Sequence, residues 1–373
     1  MARKRHGWRH LRLRRIEDPA RATAMLRDRS LENRALLERE LSAHFFAPFR
    51  HQETVEGRAF RQRAAWCRSA LSAPLGEEEK ARLDHHFETW KQSLEPRGGD
   101  LLFAFHRLVV PILLELSLGP ALAESVAGEA FHWVRELDDV IKLRRGRDLA
   151  HRLRFAAVLS DALRRGPVGG LVGYAQAEHA LAHAELVDQV GGVLLGTGPL
   201  QWADVLTHAL IALDQHEAAK SAPDRLVLWE TLRCFPVNAS VTRRDARHRS
   251  WSFVPLPLTR AGWRDPAAFA PERWRAQATG FSLGFGVGPR SCPAARLSRQ
   301  GLAHLLGRIR RETQPRIEAG YRHRRSLAEP PQARFDGVVP PPARGRVRRR
   351  LGYGVTAALT YPIVGTRVLL GSP

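Results

Sequence analysis

The sequence predicts a mainly α-helical protein with a minor β region late in the chain. Three observations carry that expectation. From about residue 17 to 220, apolar residues recur at three- and four-residue spacing, as at Leu101, Phe105, Leu108 and Ile112. The Gly- and Pro-bearing breaks "SAPLGE", "EPRGGD", "LRRGRD" and "RGPVGG" cut this stretch into helix-length pieces. After Val237 the texture changes: "SWSFVPLPL" reads as extended, and prolines dominate "WRDPAAFAPERW".

Taken in order, residues 1–16 form a basic arm without the apolar core of a secretory signal. The helical region ends in one long stretch, roughly Gln176 to Ala219, interrupted once by "GTGP" at Gly196 to Pro199. Pro199 removes a backbone donor there, so the interruption is either a turn between two helices or a bulge in one. One further amphipathic helix is expected over about Ala294 to Arg311, and "EPPQARFDGVVPPPARGR" reads as coil or edge strand. Residues 345–373 form an extension of unknown role. Its uncharged run, Leu351 to Thr366, is short for a membrane span and broken by Gly352, Gly354 and Pro362, which predicts a buried strand pair or a disordered tail.

Composition narrows the function. The 373 residues suffice for one large domain, and 44% hydrophobic with 26% charged residues is ordinary for a globular protein. Cys67, Cys234 and Cys292 stand far apart without CxxC spacing, which argues against a zinc ribbon or a disulfide framework and suits a reducing, cytoplasmic setting. The net charge of +21 rests on arginine, since Lys4, Lys80, Lys91, Lys142 and Lys220 are the only lysines. These arginines are spread along the chain with no RNA-binding signature, so no nucleic-acid partner is expected.

The stretch "FGVGPRSCPA", residues 285 to 294, carries the chemistry. Gly286 and Gly288 let backbone approach something flat and bulky, and Pro289 and Pro293 stiffen both sides of Cys292. Cys292 precedes a predicted helix, and a helix N-terminus with Arg290 nearby favours thiolate. Such a thiolate serves as nucleophile or metal ligand. A nucleophile needs a base, and no histidine stands in a recognisable partner motif, whereas one thiolate with an arginine for carboxylates suits haem.

This loop resembles the haem-binding loop of the cytochrome P-450 (haem-thiolate monooxygenase) superfamily, soluble bacterial type. The family places Phe seven, Gly four and Arg two residues before the ligating Cys, matched by Phe285, Gly288, Arg290 and Cys292. Ala294 replaces the usual Gly two residues later. "WETLRCFPV" carries Glu230 and Arg233 in the family's ExxR arrangement, which on a helix share a face, and "DPAAFAPERW" supplies Arg273 of its PER segment. Arg243, ten residues beyond Arg233, matches a haem-propionate arginine, with Arg244 the adjacent alternative. "EGRAFRQRAAWCRSAL" resembles the helix crossing the other propionate. Phe60 stands at its usual Trp or His position, Ala64 where an Arg is expected, and Arg61 or Arg63 as substitutes.

The interrupted helix should be the family's distal helix, where A-G-x-[DE]-T-T is usual. Aligning "HALIAL" puts Thr197 and Gly198 first in that slot, Leu200 at the acidic position and Gln201 at the threonine. Leu200 cannot relay protons and Gln201 is a poor acid, so the resemblance implies substrate- or water-assisted proton delivery, direct use of peroxide, or a shifted register in which Thr197 serves.

The resemblance covers roughly Asp18 to Arg344, shortened in the N-terminal β part, and implies one haem-thiolate monooxygenase domain over 17–344. It implies haem b ligated by Cys292, with Phe285, Gly286, Gly288, Arg290, Ala294 and Arg243 around it and Thr197, Gly198 and Gln201 on the oxygen side. The implied reaction is hydroxylation of an apolar small molecule with O2 and electrons from ferredoxin and its reductase, by a cytoplasmic monomer that does not use a membrane. The alternatives are a peroxygenase or a haem-thiolate binding protein without this activity.

Overall fold

Several helices begin where the sequence supplies a capping aspartate or N-terminal charges. The computed structural model describes residues 13–360 except 32, 95–97, 238–240, 248, 254, 261–262, 277–282, 324–326, 328, 344–354 and 359. Strand β1 (Leu13–Ile16) leads into α1 (Pro19–Arg27), where Asp18 accepts the N–H of Arg21 at 2.6 Å. Then come α2 (Leu36–Phe46), α3 (Gly57–Leu71) and α4 (Glu77–Gln92), the last with three glutamates in its first turn. The two-residue β2 (Gly99–Asp100) ends on the cap of α5 (Leu101–Leu118), where Asp100 accepts from Phe103.

The spacing along α5 predicts one apolar face. Instead it is buried on nearly every side, from Leu101 through Val109 and Val110 to Leu118. Among the described residues it is the one helix long and apolar enough to cross a membrane, and most of it is covered by protein. α6 (Pro120–Ile141) and α8 (Gly170–Glu178) pack against it, and α7 (Leu149–Arg165) packs on α6. All four breaks read from the sequence separate helices, and between α5 and α6 the structure adds another at Gly119–Pro120. Its signal is present: Gly119 takes φ 78° after α5 and Pro120 occupies the first position of α6.

The stretch Gln176 to Ala219 is not one helix. α8 ends at Glu178, and the long helix starts afresh as α9 (His183–Asp188). It passes through a π-helical segment, Gln189–Thr197, into α10 (Gly198–Gln215), and α11 (Glu217–Lys220) follows separately. "GTGP" is no turn. Thr197 and Gly198 keep right-handed helical angles, and the Gly198 N–H reaches back five residues to the Val193 carbonyl. The widened backbone absorbs the donor that Pro199 lacks, so the helix bulges rather than stops.

α12 (Asp224–Cys234) precedes β3 (Val241–Arg244) and β4 (Ser250–Phe253). Only the start of "SWSFVPLPL" is extended. Its prolines open the short helix α13 (Pro255–Arg260), their fixed φ suiting a first turn. α14 (Ala295–Glu312) lies where the amphipathic pattern predicts it. β5 (Arg316–Ile317) and β6 (Gln332–Arg334) follow.

The strands form two small sheets, ordered β1-β4-β3 and β2-β6-β5. β1 runs parallel to β4 with Leu13 opposite Ser250, and β3 antiparallel with Val241 opposite Phe253. Residues 13–16, at the end of the basic arm, thus belong to a sheet, while 1–12 lie outside the described residues. β6 is a central strand, not coil or an edge, because β2 and β5 pair on its two sides. In the extension, residues 355–358 and 360 are helical rather than a strand pair, and the rest lies outside the described residues.

One large hydrophobic core joins the helices. A second, smaller cluster of Ile16, Ala22, Leu26, Phe253, Leu258 and Val287 fastens the first sheet and α1 to the Cys292 loop. That small cluster positions the site.

Candidate cofactor site

The loop at 285–294 folds back on itself before α14. The Cys292 N–H donates to the Phe285 carbonyl at 2.7 Å, and Ser291 N–H to the Gly288 carbonyl at 3.0 Å. Gly286 and Gly288 take φ 69° and 78°. The glycine at 288 serves a different neighbour from the flat group expected of it, since a Cβ there would fall on the Leu26 carbonyl at the end of α1. Gly288→Ala therefore combines left-handed strain with a backbone clash, and should cost about 3 kcal/mol or more in urea unfolding. A loss under about 1 kcal/mol would show that α1 moves freely out of the way.

Cys67 and Cys234 belong to the large core, whereas Cys292 is half-buried and joins no hydrophobic cluster among the described residues. The Ala294 N–H, at the start of α14, points to its sulfur and favours the anion, but burial outweighs it and pushes the thiol up to about 11. The expected help from Arg290 is missing for a physical reason. That guanidinium stacks on Phe60 with its carbon 3.6 Å from the ring centroid, donates to the Val55 carbonyl at 3.0 Å, and meets Glu53 at 3.3 Å. Phe285 lies edge-on to Trp229, their centroids 6.3 Å apart.

Around Glu53 three buried arginines converge. Arg34 pairs with Glu53 and, at 3.1 Å, with Glu38, and the third is Arg243. Burial alone would raise the Glu53 carboxyl, but Arg34 and Arg290 outweigh it and hold the group well below the usual carboxylate range. Arg243 is 2% exposed, donates to the Thr242 carbonyl at 2.8 Å, and has no carboxylate partner among the described residues. Burial, followed by the charges of Arg34 and Arg290, brings it down to about 9. Adjacent Arg244 faces elsewhere, forked onto Glu56 at 2.8 and 2.9 Å. Arg63 joins α3 to α9 through Asp188 at 3.1 Å, and Arg61 is exposed.

The Glu230–Arg233 pair could have been a solvated surface pair. Both side chains are instead fully buried, with Arg233 Nε on Oε2 at 2.8 Å and Nη2 on Oε1 at 2.6 Å. Arg273 Nε lies 3.3 Å from Glu230, whose carboxylate also accepts from Ala270 N–H at 2.8 Å and Trp274 Nε1 at 2.9 Å. Arg233 itself donates to the Pro266 and Ala268 carbonyls, both at 2.7 Å. The PER segment is thereby fastened to α12.

On the long helix, Thr197 does not stand alone. Glu53 N–H donates to His51 Nδ1 at 3.2 Å, which leaves the proton on Nε2, 3.0 Å from Thr197 Oγ1. The Thr197 hydroxyl in turn donates to the Gly192 carbonyl at 3.2 Å. Leu200 is buried, and Gln201, half-buried, makes no hydrogen bond among the described residues. Gln189, at the other end of the π segment, accepts from the Cys67 thiol at 3.4 Å and has an unpartnered buried Nε2.

His51 is held neutral by burial, down to about 4, and His106 and His323 down to about 3 for the same reason. In the unfolded chain these groups take up protons near pH 6.5, and in the folded chain they do not. Their contribution is present above pH 6.5 and is lost as pH falls toward 4, so melting temperature should drop from pH 7 to pH 5. Asp188 and Asp204, raised by burial, act in the opposite direction nearer their own range. A flat melting profile from pH 7 to 5 would contradict the burial of these imidazoles.

The expected residues thus form two groups bridged by one segment. Phe285 to Ala294 lie on the loop, Thr197, Gly198 and Gln201 on the long helix, and His51 with Glu53 touches both Thr197 and Arg290. Sequence reasoning does not find Arg34, His51 and Glu53. They match no spacing motif, and only the tertiary approach of the 51–55 segment gives them a role. The residues present fit a haem: a thiol outside the core's packing would suit its iron, and a buried arginine with no carboxylate partner among the described residues would suit a carboxylate of the macrocycle.

No family model matches the chain. Over 125 residues it is 31% identical to the mitochondrial cholesterol side-chain cleavage enzyme of Hypanus americanus, covering 28% of this chain and 24% of that one, so it spans about a quarter of that relative. Among solved structures it is similar to P450BioI in complex with a hexadec-9Z-enoic acid ligated acyl carrier protein (TM-score 0.66, 13% identity, 86% of this chain and 92% of that one). It is also similar to HmtN, a post-tailoring hydroxylase involved in himastatin biosynthesis (0.63, 18%, 82% and 85%). A 6-coordinated cytochrome P450 from Thermus thermophilus is a third match (0.61, 20%, 81% and 87%). With one fold shared over more than four-fifths of the chain, and with the Cys292 loop, the buried Glu230–Arg233–Arg273 triad and the bulged helix in order along it, the chain has the cytochrome P450 fold.

Proposed function

We propose that the protein is a haem-thiolate monooxygenase that hydroxylates an apolar small molecule. The observation that carries this reading is Cys292, a thiol at the N-terminus of α14 that takes no part in core packing, in a loop two residues from a buried arginine. Cys292 would hold the iron of haem b, with Arg243 and Arg290 on its propionates. When bound, that group supplies oxygen activation with the thiolate as electron-rich ligand. The Ala294 N–H, directed at the sulfur, would draw charge from it as hydrogen bonds to a metal ligand do.

On the other side, Thr197 is committed to Gly192 and His51, and Leu200 offers no proton. Gln201, one helical turn beyond Thr197, is the side chain there with unused donors and acceptors, and it would hold a water for proton delivery. Electrons would come from a ferredoxin and its reductase. Exposed Arg68, Arg296 and Arg299 on α3 and α14 suit an acidic partner near Cys292. The apolar substrate class is supported by the fatty-acyl ligand named for one structural neighbour and the hydroxylase role named for another.

The test is the spectrum of haem-loaded, dithionite-reduced protein under carbon monoxide. A red-shifted Soret band is expected, and a band at the position of histidine-ligated haem would end this reading. A peroxide-driven reaction is the second reading, favoured by Leu200 and Gln201 at the acid and alcohol positions. Turnover of an apolar substrate panel with hydrogen peroxide alone, and none with a ferredoxin system, would select it.

A further inference from the structure

We propose that Glu53 is a resident counter-ion of the arginine cluster, and that a haem propionate must displace it from Arg290 in order to bind. This rests on the haem reading. Among the described residues the cluster sets Arg34, Arg243 and Arg290 against Glu38 and Glu53, an excess of one buried positive charge. A single propionate would balance it, yet the arginine two residues before Cys292 already faces a protein carboxylate.

The contacts of Glu53 are unequal. It pairs closely with Arg34 Nε, which Glu38 also fixes, whereas Arg290 Nη1 stands at 3.3 Å. Arg290 is held from α3 by the Phe60 ring, and also by the Val55 carbonyl, so its guanidinium keeps its place against α3 when the carboxylate leaves. Glu53 itself sits on the three-residue turn Gln52–Thr54, an element that can shift without disturbing a long helix. The geometry is therefore that of an exchangeable ligand on a fixed cation. An incoming carboxylate competes with Glu53 for Arg290, and the protein's own charge sets the outcome.

Glu53→Gln removes the competitor and keeps the shape. Apoprotein is titrated by Soret absorbance with haem and with haem dimethyl ester, whose propionates carry no charge, and its melting temperature is measured without haem. Glu53→Gln should bind haem roughly tenfold tighter than the parent and the ester within about twofold. Its apoprotein should melt roughly 5 °C lower or more, because three arginines then share one glutamate. Unchanged haem affinity, or equal gains for haem and ester, would overturn the proposal. If Glu53→Gln does not fold, the Arg34→Gln/Glu53→Gln double variant, which removes one charge of each sign, should show the same selective gain, and its absence counts equally against the idea. If the parent binds neither form, the haem reading is what fails. The melting temperatures then decide the counter-ion role alone, equal values for parent and Glu53→Gln refuting it.

Discussion

Arg233→Leu is expected to destabilise the protein by about 3–5 kcal/mol, the cost of leaving one partner of a buried ion pair behind. Arg233 and Glu230 are both fully buried, so solvent cannot screen the orphaned carboxylate. Arg273 at 3.3 Å offers partial compensation, and the Ala270 and Trp274 donors remain. The carbonyls of Pro266 and Ala268 lose their donor at the same time, which loosens the segment leading to the PER turn. Arg233→Lys should recover only part of the loss, since an ammonium cannot reproduce the fork that spans two carboxylate oxygens and two carbonyls. Urea midpoints of the two variants and the parent test this. An Arg233→Leu loss below about 1 kcal/mol would mean that the pair is solvated after all.

The second large effect is spectroscopic. Cys292→Ser should abolish the red-shifted carbon monoxide band completely while changing folding stability by less than about 1 kcal/mol. Both halves matter. Because the thiol joins no hydrophobic cluster among the described residues, its replacement removes a ligand and little packing. A variant that keeps the band would reassign the ligand. One that unfolds would show the sulfur to be structural, as Cys67 and Cys234 are.

The parts of this fold legible in the sequence are those set by local chemistry. Capping aspartates, Gly–Pro punctuation and the period of α14 are readable because each acts over a few residues. The Glu230–Arg233 pair is readable because helical geometry brings i and i+3 together. The Cys292 loop can be found from its spacing, but the purpose of its parts cannot. Gly288 answers to Leu26 and Arg290 to Glu53, partners more than two hundred residues away in sequence. Likewise, the protonation state of Cys292 depends on enclosure, which no single-sequence spacing reports. The place of β6 is hidden because centrality in a sheet depends on β2, far upstream, arriving beside it.

The widened segment Gln189–Thr197 has a consequence for how the chain tolerates change in length. Each residue along an α-helix turns it by about 100°, so deleting one residue within α10 would carry Trp202, Leu206 and Leu210 off their neighbours together. A five-residue hydrogen-bond span accommodates what a four-residue span would exclude. Loss of one residue between 189 and 197 can therefore be taken up by tightening the backbone to ordinary α-helix, leaving α10 where it is. Along this otherwise continuous helix, a one-residue deletion is best accommodated within the nine residues beside His51 and the Cys67 thiol.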